Sequence, residues 1–127
     1  MDQRLNQLFD YTKFHIGMYT TLIVGIIGIF ANDNLKQAYV GVIPYVKFSI
    51  VFFFVAGVAG GLIASSIPFF ATFQDFSNSS LGPWKFKWVP AIICTHIEDT
   101  AFWLGITIAV VGLFKVLYLH EALQTGP

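Results

Sequence analysis

The residues able to do chemistry are few, and they cluster. His96, Glu98 and Asp99 stand in the run HIED; Lys13 and His15 lie near the start of the chain, and Asp75 lies between. Imidazoles and carboxylates ligate divalent metals. On a helix, however, His96 and Asp99 share a face while Glu98 turns away, so no metal site is expected. Two histidines on facing helices can hold a haem, which makes haem b between His15 and His96 the cofactor alternative. Against it, the chain has only three histidines, no attachment motif, and neither histidine falls on the expected inner face. No GxSxG, HExxH or phosphate-binding glycine loop occurs, and the reading is of a protein without catalytic residues.

The elements that must position these residues are membrane helices. The chain is 56% hydrophobic and only 11% charged, against about 25% charged in soluble domains. Net charge is zero, which gives no footprint for nucleic acid. The single cysteine, Cys94, excludes an internal disulfide and reads as a small buried residue. The length allows one domain, 1–127, of all-α integral membrane class: three transmembrane helices at about 14–31, 47–73 and 91–117, preceded by an amphipathic, interfacial helical extension. Asn32, Asp33 and Asn34 stop the first helix. Pro68 is expected to kink the second within a span reaching Phe73. Trp84 and Trp88 bracket Lys85 and Lys87 at an interface.

Each span carries small residues at helical spacing: Gly17, Thr21, Gly25 and Gly28; then Ala56, Gly60 and Ala64 beside Gly57, Gly61 and Ser65; then Ala101, Gly105, Ala109 and Gly112. Such stripes let helices approach closely in lipid, within one chain or between copies. Extended toward one mouth of the bundle, the stripes reach Lys13, Asp75 and Glu98. A charged layer is therefore expected there, with His15, His96 and Asp99 near it in depth but on other faces. No ionisable residue is expected at mid-membrane, which argues against a proton relay.

The sequence thus points to a small polytopic membrane protein that acts through helix association, as a subunit of a membrane complex or a homo-oligomer. Its partners would be the lipid bilayer, other membrane subunits or copies of itself. An oligomeric pore, with Thr21 and Ser65 lining a lumen behind a charged vestibule, is the alternative. A haem or quinone anchor of a redox enzyme is the third reading. The lysine and arginine count places the N-terminus on the cytoplasmic side by a thin margin.

Overall fold

The computed structural model describes residues 2–31, 40–83 and 86–124. The chain is mostly helical: α1 spans Gln3–Phe30, α2 Ile43–Ser66, α3 Phe73–Ser77 and α4 Ala91–Gln124. Two short strands, β1 (Ser80–Leu81) and β2 (Val89–Pro90), pair antiparallel with Ser80 opposite Pro90 and Leu81 opposite Val89. Two stretches are long and apolar enough to cross a membrane, Ile43–Phe69 and Ala91–Lys115. The expected helix stop at Asn32 to Asn34, and Trp84 and Lys85 of the interfacial cluster, lie outside the described residues.

α1 is one continuous helix, so the amphipathic extension and the first apolar segment are a single element. It starts where Asp2 caps it: Oδ1 accepts the Arg4 amide at 3.1 Å, filling one of the donors a helix start leaves open. Oδ2 of the same carboxylate accepts the Phe73 amide at 2.9 Å, at the first residue of α3. Thr72 caps α3 in turn, accepting the Asp75 amide at 3.1 Å and donating to the Asp75 carboxylate at 2.7 Å. The start of α1 is thereby tied to the segment that follows α2.

α2 packs extensively against α4 and more lightly against α1. Its buried row is Ser49, Phe53, Ala56, Gly60, Ile63 and Ile67, in alternating steps of four and three that hold one helix face. α4 answers with Ala91, Cys94, Glu98, Ala101, Gly105 and Gly112. The approach is closest at the glycines. A Cβ on Gly105 would stand 2.7 Å from the Phe53 ring, and one on Gly112 would stand 2.9 Å from Cβ of Tyr45. Ser49 uses the same proximity to donate to the Gly105 carbonyl at 2.8 Å. At the far end, Lys115 Nζ lies 5.1 Å over the Tyr45 ring, a cation–π contact.

The second span ends earlier than expected. Pro68 closes α2 through a 3-10 turn at Ile67–Phe69, and Phe70 is extended. Residues to Phe73 therefore leave the helix instead of continuing it past a kink. Proline lacks the amide that would carry the helical ladder onward. The described residues that follow, 70–83 and 86–90, then fold back as a cap. There Phe76 and Leu81 join Leu5, Ala59, Ile63, Ile67, Ala91 and Cys94 in one apolar cluster. A second cluster, Tyr19, Phe53, Ala56, Ala101 and Phe102, lies farther along the helices.

α1 uses a face other than its small-residue stripe. Leu5, Thr12 and Tyr19, seven residues apart, are buried, as is His15; Leu8 and Leu22 are half-buried on the same side. Gly17, Thr21, Gly25 and Gly28 are exposed, and a Cβ on any of the three glycines would meet nothing within 4 Å. α2 divides likewise: Ala56 and Gly60 point inward, Gly57 and Ala64 are half-buried, and Gly61 and Ser65 are exposed.

Two outcomes follow. Gly105→Leu is expected to destabilise the chain by about 1–3 kcal/mol through overpacking, whereas Gly61→Leu, with nothing within 4 Å, leaves the midpoint of thermal unfolding in detergent unchanged. The two amides from Phe73 and Arg4 hold the Asp2 carboxyl below the usual carboxylate range. Its stabilisation is present above the unfolded value of about 3.9 and is lost as pH falls through the lower folded value. Asp2→Asn should therefore flatten the acid limb of stability, as measured by unfolding in detergent across the acidic range.

Candidate functional site

Between the two apolar clusters runs a polar layer. His15 of α1 and Glu98 of α4 face each other, with Nδ1 to Oε1 at 2.9 Å. Their residues are each 2% exposed. The imidazole is stacked on Phe102, with ring centroids 3.8 Å apart and planes at 20°. Tyr11 covers it from another side, with centroids 4.0 Å apart. Tyr11 donates to Asp99 Oδ1 at 2.7 Å, so consecutive carboxylates of α4 each take one partner from α1.

α2 makes room for this layer at Gly60. A Cβ there would stand 2.9 Å from the Tyr19 hydroxyl, 3.4 Å from Cγ2 of Thr12 and 3.5 Å from Cγ of Glu98. Any larger residue would push these groups apart. The Thr12 and Tyr19 hydroxyls are buried, and neither has a hydrogen-bond partner. Buried hydroxyls without partners are costly and rare, so this is where the molecule holds unmet polar capacity.

Gly60 lies nine residues from Phe69 and seventeen from Ile43 in the apolar stretch Ile43–Phe69, and Glu98 lies seven residues from Ala91 in the stretch Ala91–Lys115, about 10 Å along its helix at 1.5 Å per residue.

The expected trio is not brought together. Glu98 is buried, whereas Asp75 is exposed and serves the cap of α3. Lys13 is exposed, with Nζ 5.1 Å over the Phe9 ring. His15, placed by the sequence reading off the inner face, occupies it. Asp99 is half-buried, and His96 is exposed. His15 Nδ1 pairs with Glu98 and one ring face lies on Phe102, while His96 is in the lining of a surface cleft that His15 does not line. No cluster of three or more metal-ligating side chains occurs among the described residues.

Sequence reasoning missed Thr12, His15 and Tyr19 as inner-face residues, and Asp2 as a tie between helices. The signal for the first three was the alternation 5, 8, 12, 15, 19, 22, a heptad row. An open cleft of about 220 Å³ between α1 and α4 has Leu8, Tyr11, Thr95, His96, Glu98 and Asp99 in its lining.

No family model, curated protein or solved structure matches the chain.

Glu98→Ala leaves His15 Nδ1 buried without its partner, at an expected loss of about 1–3 kcal/mol. Glu98→Gln keeps an acceptor in place and should lose less. Thermal unfolding of the two variants in the same detergent measures the difference.

Proposed function

We propose that this is an integral membrane protein that crosses the bilayer three times and works without catalysis, through helix association in a membrane complex or a homo-oligomer. The observation that carries the reading is the division of α1 into two faces. One face, with Leu5, Thr12, His15 and Tyr19, is occupied by the chain itself. The other presents Gly17, Thr21, Gly25 and Gly28, all exposed, and a Cβ on the three glycines would meet nothing within 4 Å among the described residues. In lipid, a flat face of small residues favours close approach of another helix.

Immersion is supported by the coat. Phe14, Val24, Ile27, Phe48, Phe54 and Phe114 are all exposed, Phe54 to 68%. An apolar surface that covers helix after helix suits lipid, not water. Tying Asp2 to Ala71 and Phe73 supports a topology with the N-terminus and the segment after α2 on one side, read as cytoplasmic from the lysines. The pore alternative needs Thr21 and Ser65 turned to a shared lumen. Both are exposed but already bond their own helices, Thr21 to the Gly17 carbonyl at 2.9 Å and Ser65 to that of Leu62 at 3.2 Å.

The test is native mass after extraction in mild detergent from the source membrane. A complex larger than the 14.2 kDa chain is expected, and Gly25→Leu should dissociate it while leaving thermal unfolding unchanged. A monomer, or a complex indifferent to Gly25→Leu, would count against association through this face.

A further inference from the structure

We propose that the His15–Glu98 pair is a proton-binding site, loaded and unloaded through the cleft between α1 and α4 and closed at its inner end. It goes beyond association and rests on the reading that these helices cross a bilayer.

Three features converge. The first is the buried acid–base pair itself, at a depth where an ionisable residue is costly unless it serves a purpose. The second is unmet hydrogen-bonding capacity beside it. The Thr12 and Tyr19 residues are 0% and 4% exposed, and their hydroxyls are unpartnered. The Tyr19 hydroxyl and Cγ of Glu98 converge on the same point over Gly60. The Tyr19 hydroxyl both donates and accepts, so it can serve Glu98 in either protonation state. The third is access. The cleft carries Tyr11, His96 and Asp99 along its wall and has Glu98 in its lining.

The inner end is sealed. Beyond Tyr19 come Phe53, Ala56, Ala101 and Phe102, packed with Ile16, Leu22 and Ile106. The next buried polar side chain along α2, Ser49, gives its hydroxyl to the Gly105 carbonyl. A proton that enters by the cleft leaves by the cleft. The site binds a proton; it does not pass one across.

The step is proton transfer alone. Hydronium loses a proton to a Glu98 oxygen and becomes water; one O–H bond breaks and one forms. The titratable groups around the pair are Tyr11 and Tyr19 from α1, and Cys94, Asp99 and, at the cleft, His96 from α4. α2 presents none at this level, only Ala56, Gly57, Ala59, Gly60 and Ile63.

The chain has two glutamates, Glu98 and Glu121. Carbon-13 labelling of glutamate in a Glu121→Gln chain therefore isolates the Glu98 carboxyl without touching the site. In lipid nanodiscs its signal, read by NMR or infrared over the pH range in which the chain stays folded, should show one protonation step. His15→Gln should move that step, and His96→Gln should leave it in place. Thr95→Trp, which fills the cleft, should slow exchange of the carboxyl proton with solvent while keeping the midpoint. A Glu98 signal constant across the range would overturn the proposal and leave a fixed structural pair. Unchanged exchange in Thr95→Trp would overturn the cleft as the route.

Discussion

A carboxylate and an imidazole buried between helices set the terms for everything around them. An unpaired charge in an apolar interior is strongly disfavoured, and a pair is tolerated only when its geometry is good and its remaining polar atoms are served. Here the bond is 2.9 Å, the ring is stacked on Phe102, and Tyr11 links the adjacent Asp99 to α1. The cost falls on α2, which must present glycine at position 60 for the layer to fit. Apolar clusters on both sides then keep the layer from spreading. One cluster is built on the cap residues Phe76 and Leu81, the other on Phe53 and Phe102.

That constraint explains why the three helices are joined so differently. α2 and α4 meet through small residues and van der Waals packing, with Gly105 under Phe53 and Gly112 under Tyr45. α1 meets α4 through polar side chains reaching across, His15 to Glu98 and Tyr11 to Asp99. It is pinned at its start by Asp2. Packing between small residues is insensitive to solution conditions, whereas a polar contact depends on protonation. α1 also rests on α2, with Thr12 and Tyr19 against Gly60, so its attachment combines packing with polar contacts.

The sequence made the helical class legible, and with it the inward stripe of α4. Ala101, Gly105 and Gly112 are small because a neighbour is close, and small residues at helical spacing say so. The same logic failed on α1. Gly17, Gly25 and Gly28 signal close approach equally well, but no neighbour makes that approach among the described residues. Large and polar residues at 12, 15 and 19 form the inner face instead. A stripe of glycine announces that a helix can be approached closely, not by which partner. The far end of the second span differs for a simpler reason: composition carries Phe70 to Phe73 as apolar span residues, whereas Pro68 ends the helix and they join the cap.

The site was half legible. Glu98 stood out by extending the α4 stripe, and His15 was noticed for its depth, but the two could not be paired while α1 was rotated to its glycine face. Rotating α1 to its heptad row brings His15 to Glu98 and exposes the glycines in the same motion. The two faces of α1 are therefore one fact. A helix that commits Thr12, His15 and Tyr19 to its own chain must offer Gly17, Gly25 and Gly28 to whatever lies outside it. The polar layer and the glycine face lie on the same helix, so the side chains that hold α1 to its own chain fix which face it leaves open.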